Sequence, residues 1–111
     1  MLLEVHERMQ LLNLMPAEGG FEALKAIRRQ REMLSFTLEE KNILELVNEA
    51  QPGGSFKTQW KGENAPQVVK DVPIDEYMTN FFRKKLAEME SNGKLTEQTM
   101  SLYEKFVIMY K

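Results

Sequence analysis

The positions of helix-breaking residues limit the folds that this sequence can adopt. Glycine clusters with proline or asparagine in "PAEGG" at 16–20, in "QPGGS" at 51–55 and in "NG" at 92–93. Each cluster combines residues that end helices or reverse the chain. Between the clusters, apolar residues recur at the three- and four-residue intervals of a helix with one buried side. The sequence therefore predicts a mainly α-helical fold with about five helices.

The predicted helices cover residues 2–15, 21–34, 38–50, 75–91 and 97–110. Thr37 and Glu40 have the spacing of a capping box, and Gly93 is expected to end the fourth helix in a left-handed conformation. In the first helix the expected apolar stripe is Val5, Met9 and Leu12, widened by Leu2, Leu11 and Met15. The buried side expected for the last helix comprises Thr99, Leu102, Tyr103, Phe106, Val107 and Tyr110.

One stretch, "SFKTQWKG" at 55–62, alternates apolar and polar residues and contains the only tryptophan. In an extended chain, Phe56 and Trp60 lie on one side, and Lys57 and Lys61 lie on the other. Such alternation is typical of a strand with one face on a core and the other in solvent.

The valine-rich residues 67–74 predict a second strand that pairs back on the first. A chain of 111 residues, of which 42% are hydrophobic, has material for one core rather than two. We therefore predict a single domain over residues 1–111, mainly α, with a minor two-stranded β-hairpin insertion at about 55–74.

Composition indicates a cytoplasmic protein. The chain has no cysteine, which excludes disulfide frameworks, thiolate zinc sites and cysteine nucleophiles and suits an intracellular location. The N-terminal stretch contains Glu4, His6, Glu7 and Arg8, which interrupt the apolar run that a signal peptide needs. No apolar run approaches the roughly 20 residues of a membrane span. No membrane partner is expected.

The sequence contains no recognisable catalytic motif. His6 is the only histidine, and "HERM" lacks the second histidine of H-E-x-x-H because position 10 is glutamine. None of the serines lies in G-x-S-x-G. Acidic pairs such as Glu39–Glu40 fall in first turns of helices, where they stabilise the positive end of the helix dipole. We therefore predict no catalytic residue, no metal and no cofactor, and a protein that is not an enzyme.

Basic residues support one functional alternative, a DNA- or RNA-associated regulator. The net charge of −2 argues against a general polyanion binder. However, the second helix carries "KAIRRQR" at 25–31 and is followed by a break and another helix, as in a helix-turn-helix. The residues that would bind nucleic acid in this alternative are Lys25, Arg28, Arg29, Arg31, Lys84 and Lys85.

Apolar residues at the margins of the expected core favour protein–protein binding. Phe56 and Trp60 either cover the helices or anchor a partner, and the sequence leaves both roles open. Ile108 and Met109 fall off the buried side of the last helix and indicate contact with another chain. We predict a non-enzymatic interaction module: an adaptor, an inhibitor or an assembly component, a type of protein common in phages and mobile elements. Its partner is another protein or a second copy of itself.

Overall fold

A computed structural model describes residues 1–50, 52–53 and 56–109 of the chain. Within these ranges, side chains are described except at 48–50, 56–58 and 67. The fold is mainly helical with a small two-stranded antiparallel sheet, as the sequence predicted.

The helices are α1 (Val5–Leu14), α2 (Phe21–Leu34), α3 (Leu38–Leu44), α4 (Glu76–Ser91) and α5 (Glu97–Tyr103). The strands are β1 (Leu2–Leu3), β2 (Val47–Ala50), β3 (Phe56–Gln59) and β4 (Lys70–Asp71). A 3₁₀ segment covers Gly62–Val68, and a π-helical turn at Glu104–Ile108 continues α5.

Side-chain and glycine caps fix several helix ends where the sequence placed them. Thr37 Oγ1 accepts a hydrogen bond from the Glu40 N–H at 3.1 Å, and the Thr37 N–H donates to Glu40 Oε1 at 2.9 Å. At the start of α4, Asp75 Oδ1 accepts from the Met78 N–H at 2.8 Å. Gly93 follows α4 with a φ of 66°, a left-handed conformation that glycine adopts without a steric penalty. The capping box and the glycine end are both confirmed.

The third helix is shorter than predicted. It ends at Leu44 rather than at residue 50, because Glu45 takes a left-handed conformation with a φ of 51°. The Leu46 N–H then donates to the Lys41 carbonyl at 3.0 Å, which closes the end of the helix. The chain continues as β2, whose backbone groups pair with a neighbouring strand instead of along a helix.

The Trp-containing strand has a different partner from the predicted one. β3 pairs antiparallel with β2, with Val47 opposite Gln59 and Ala50 opposite Phe56. The hairpin therefore covers residues 47–59 rather than 55–74, and the predicted pairing with residues 67–74 is wrong. The sequence predicts that the segment at 51–55, rich in glycine and proline, ends a helix. It instead connects the two strands of this hairpin.

The strand expected at 67–74 contributes instead to a second small sheet. Leu2 of β1 lies opposite Asp71 of β4, and Leu3 lies opposite Lys70. The first helix accordingly begins at Val5 rather than at residue 2. The 3₁₀ segment separates β3 from β4, so the two strands predicted as one hairpin belong to different sheets.

The main core lies between the helices. Phe82 of α4 meets Phe106 of the π-helical turn edge to face, with ring centroids 5.5 Å apart. The buried members of this core are Leu3, Leu11, Met15, Ile27, Leu34, Val72, Met78, Phe82, Leu86, Leu102 and Phe106.

The expected buried side of the last helix is largely correct. Thr99, Leu102 and Phe106 are buried, and Tyr103 and Val107 are half-buried. Tyr110 lies outside the described residues. The sequence did not reveal the π-helical turn, in which the Met109 N–H donates to the Glu104 carbonyl at 2.8 Å.

A second cluster of buried apolar residues is separate from the main core. Its buried members are Val5 of α1, Leu44 of α3 and Val68 of the 3₁₀ segment. Partly buried residues that pack against them are Phe36, Ile43, Leu46, Trp60 and Ala65. Small satellite clusters of this kind are common under long connections. Here the cluster joins α1, α3 and the 3₁₀ segment.

Candidate functional site

The single tryptophan borders a groove that we call the Trp60 groove. Its volume is about 280 Å³. Its apolar lining consists of Val5, Trp60, Ala65, Pro66 and Val69. Gly62, Glu4 and His6 complete the lining, so α1 forms one side of the groove and the 3₁₀ segment with its neighbours forms the other.

Backbone and side-chain hydrogen bonds anchor the 3₁₀ side of the groove to α3. The Lys61 N–H donates to the Leu44 carbonyl at 2.7 Å. Asn64 Nδ2 donates to the Ile43 carbonyl at 2.8 Å. Because Leu44 is fully buried in the second cluster, these bonds fix the wall on a packed support rather than on a free loop.

The Trp60 side chain contacts the second cluster and also forms part of the groove wall. Its side chain is partly buried and packs against the second cluster, and it also lines the groove. On its other side it borders a shallower hollow with Val47 and Gln59. The structure therefore shows Trp60 covering part of the second cluster with a side chain that also lines the groove. The side chain of Phe56 lies outside the described residues.

Charged groups surround the Trp60 groove unevenly. Glu4 Oε2 lies 3.5 Å from His6 Nδ1, so the carboxylate stays next to a residue of the lining. Lys61 Nζ lies 2.9 Å from Glu45 Oε2 and 3.8 Å from Glu63 Oε1. The hydrogen bond that Lys61 donates to Glu45 raises the pKa of Lys61, which stays charged throughout the physiological range. Two carboxylates thus share one ammonium, and a third lies beside the groove.

Two buried ion pairs on α1 were not expected from the sequence. The Arg8 side chain is fully buried, and Nη1 donates to Glu40 Oε2 at 2.6 Å while Nη2 donates to Glu40 Oε1 at 3.1 Å. Arg8 Nε and Nη2 also donate to the carbonyls of Leu34 and Ser35, and the guanidinium lies 4.0 Å from the Phe36 ring centroid. Burial raises the pKa of Glu40, but the hydrogen bonds from Arg8 and from the Thr37 N–H outweigh it and hold the pKa below its usual value.

Glu7, the neighbour of Arg8, joins α1 to the C-terminal helix. Its carboxylate accepts hydrogen bonds from Lys105 Nζ at 2.7 Å, from Ser101 Oγ at 2.9 Å and from the Glu4 N–H at 2.9 Å. Burial raises the pKa of Glu7, but these three hydrogen bonds outweigh burial and hold the pKa below its usual value. Lys105 also donates to the Leu2 carbonyl at 2.8 Å, so one ammonium ties the last helix to β1 and α1.

We expect acid to weaken the fold through Glu7. Its pKa is lower in the folded protein than in the unfolded chain, where glutamate titrates near about 4.3. Glu7 therefore contributes stability above about pH 4.3, and that contribution is lost as the pH falls through the folded pKa. Urea unfolding between pH 7 and pH 3 will show a steeper loss of stability for the wild type than for Glu7→Gln.

Glu40 contributes to the acid dependence of the wild type and of Glu7→Gln alike, so the difference between their stability profiles reports the effect of Glu7. A Glu22→Gln variant, which changes an exposed carboxylate on α2, is the matched control and will follow the wild-type profile. Parallel profiles for the wild type and Glu7→Gln would show that the Lys105 and Ser101 hydrogen bonds do not favour the charged carboxylate.

The basic residues of the nucleic-acid alternative are on the surface. Ile27, Gln30 and Leu34 form the buried side of α2, so the cationic side chains of this helix face outward. Lys84 and Lys85 of α4 line a separate open cavity of about 540 Å³ whose lining includes none of the α2 arginines. The exposed residues are Lys25, Arg28, Arg29, Arg31, Lys84 and Lys85.

The apolar residues predicted to contact another chain are also exposed. Ile108 is 55% exposed and Met109 is 75% exposed, and Met100 on α5 is 56% exposed. They do not belong to the lining of the Trp60 groove. The structure thus separates the predicted partner-binding residues into two places.

Within the part of the chain that the structure describes, no three His, Asp or Glu residues lie close enough together to hold a metal ion. Over the same residues, none of the helices combines the length and apolar character needed to cross a bilayer. No protein-family model matches the chain, and no curated protein or solved structure matches it. Its function is therefore inferred from its own residues and their geometry.

Proposed function

We propose that this protein is a non-enzymatic interaction module that binds a segment of a partner protein in the Trp60 groove. The observation that carries the proposal is the position of Trp60, which packs on the second cluster and lines an apolar groove with the same side chain. Tryptophan is enriched among the residues that dominate binding energy at protein interfaces. A tryptophan held in place by packing loses little entropy when a partner binds.

The size of the groove favours a peptide segment over a small-molecule substrate. Its volume of about 280 Å³ lies just under the range of roughly 300–1,000 Å³ that is typical of ligand pockets. That space suits one long side chain with its neighbours. The second hollow beside Trp60, about 230 Å³ and more open, continues the surface toward Val47. An extended segment that crosses Trp60 contacts both hollows, which is a common mode of peptide recognition.

Selection of peptides on the folded protein tests this proposal. Clones from a randomised 12-residue library will shift the emission of Trp60, the only tryptophan in the chain. An Ala65→Phe variant fills the groove from its wall, and we expect it to bind those clones at least tenfold more weakly. Met109→Ala is the matched control, because it alters an exposed apolar residue outside the groove, and it will bind like the wild type.

Clones that leave Trp60 emission unchanged and bind Ala65→Phe normally would contradict the proposal. If Met109→Ala or Ile108→Asp abolished their binding instead, the C-terminal surface would be the interface. A wild-type protein that forms dimers, with an Ile108→Asp variant that does not, would identify a second copy of the chain as the partner.

The competing proposal is a DNA- or RNA-associated regulator that uses the exposed cations of α2 and α4. Arg28, Arg29 and Arg31 all project from α2, which supports it. However, α3, the second helix of a helix-turn-helix arrangement, has seven residues and carries the exposed Glu39 in its first turn. Carboxylates at that position repel phosphates. Binding to a random-sequence duplex that weakens steeply with salt would favour this function over the groove.

A further inference from the structure

We infer that the partner segment inserts a lysine or arginine side chain into the Trp60 groove. The inference rests on the proposed function and specifies its partner. It follows from an apolar lining combined with the Glu4 carboxylate in that lining and with a nearby ammonium, Lys61, that two other carboxylates already bind.

The apolar lining fits the aliphatic stem of a long basic side chain. Val5, Ala65, Pro66 and Val69 provide walls without hydrogen-bonding side chains. Lysine and arginine bury their methylene groups along such surfaces while the charged end remains near water or a counter-charge. The ring of Trp60 adds a surface that attracts cations through its quadrupole.

The charges around the groove favour a cation and oppose an anion. Glu45 and Glu63 share Lys61 at 2.9 and 3.8 Å. Glu4 is the carboxylate of the described lining, and the charge of Lys61, which is next to the lining residues Trp60 and Gly62 in the chain, is already balanced by Glu45 and Glu63. An aspartate or glutamate of a partner would meet the Glu4 carboxylate and an ammonium, Lys61, that is already paired.

The dipole of α1 favours an anion at the groove rather than a cation, but its effect is weaker than that of the Glu4 charge. The N-terminus of a helix carries the equivalent of roughly half a positive charge. The full negative charge of Glu4, the residue that caps this helix, exceeds it. Glu63, the neighbour of the lining residue Gly62, adds a carboxylate near the groove, so a cationic group is favoured.

The test compares peptides selected on the wild type with variants of the protein. The probe is a randomised 12-residue library displayed on phage, followed by synthetic copies of the enriched peptides. We expect the enriched peptides to share a lysine or arginine next to an apolar residue. Replacing that basic residue by methionine, which keeps an unbranched stem, will weaken binding to the wild type at least tenfold.

We expect the same peptides to bind a Glu4→Gln variant at least fivefold more weakly than the wild type. On this variant, the peptide with its basic residue and the version with methionine in that place will differ much less in affinity. Glutamine keeps the shape of the side chain, and a circular-dichroism melt verifies that the fold is retained. Glu90→Gln on α4 is the matched control, because it removes an exposed carboxylate outside the groove, and it will leave binding unchanged.

The outcomes separate this inference from the proposed function. Peptides that are blocked by Ala65→Phe but carry no basic residue, or that bind Glu4→Gln as tightly as the wild type, would overturn the inference and leave the groove as the interface. Peptides indifferent to Ala65→Phe, or a selection that yields no binder dependent on the groove, would overturn both.

Discussion

An Arg8→Ala variant will be less stable than the wild type by about 3 kcal/mol, the lower end of the range for breaking a buried ion pair. The Arg8 side chain is fully buried, and its guanidinium donates to Glu40 and to the carbonyls of Leu34 and Ser35. Alanine leaves these acceptors without their donor. Glu40 retains 14% exposure, so water compensates for part of the loss, which places the expected value at the lower end.

Urea unfolding at pH 7 measures this effect. Arg28→Ala on α2 is the matched control, since Arg28 is exposed, and it will stay within about 0.5 kcal/mol of the wild type. A double variant, Arg8→Met with Glu40→Gln, will recover part of the loss because the unpaired charge is removed. A loss under about 1 kcal/mol in Arg8→Ala would mean that the guanidinium does not form the buried network described here.

Arg8 also connects the stability of the fold to the candidate site. Its guanidinium lies 4.0 Å from the Phe36 ring centroid, and Phe36 packs against the second cluster together with Trp60. The cluster that supports the Trp60 groove is therefore connected to the Arg8 charge network through the Phe36 ring. Substitutions in that network can weaken partner binding without touching the groove, so binding data for such variants need a parallel measurement of stability.

Local signals were sufficient to predict some of the helix ends and the buried side of the last helix. The capping box at Thr37 and the left-handed Gly93 depend on residues within one or two turns of the helix end. Phe106 and Leu102 were predicted to be buried because their spacing repeats that of a helix. These features require no information from distant parts of the chain.

The burial of the charged Arg8 side chain could not be predicted from the polarity of the residue alone. Arg8 lies three residues after Val5 and three before Leu11, in the middle of the buried side of α1. The predicted stripe did not include Arg8, and its counter-charge Glu40 lies 32 residues away in the sequence. The assumption that charged residues leave the core is correct only when no such partner exists. Met9 and Leu12, expected on the stripe, are half-buried, and Leu2 is exposed.

The predicted strand pairing was wrong for a related reason. Residues 47–50 continue an apolar helical pattern, so the local sequence favoured helix where the pairing of β2 with β3 decides the outcome. The left-handed Glu45 carries no sequence signal, because glutamate rarely adopts that conformation. The choice between β2 and residues 67–74 as the partner of β3 depends on contacts between segments, which spacing within one segment does not reveal.

The candidate site was partly predictable. Trp60 was identified because a lone tryptophan in an alternating segment needs either a core or a partner, and the structure gives it a place on both surfaces. The other side of the groove comes from Val5 and His6, which lie more than 50 residues earlier in the sequence. No motif joins the two segments, so the groove became visible only in the folded chain.

Phe106→Ala will destabilise the protein by about 3–5 kcal/mol, the usual cost of removing a fully buried phenylalanine. The ring is fully buried in the main core, where it meets Phe82 edge to face at 5.5 Å. Such aromatic pairs contribute about 0.5–1.5 kcal/mol beyond the area that they bury. Leucine fills part of the same space, so Phe106→Leu will cost less than Phe106→Ala.

Equilibrium unfolding in urea, followed by far-ultraviolet circular dichroism, measures both variants. Ile108→Ala is the matched control, since Ile108 lies in the same π-helical turn but is 55% exposed, and its loss will stay within about 1 kcal/mol. If Phe106→Ala and Ile108→Ala lowered the free energy of unfolding by similar amounts, the π-helical turn would not place the Phe106 ring in the core.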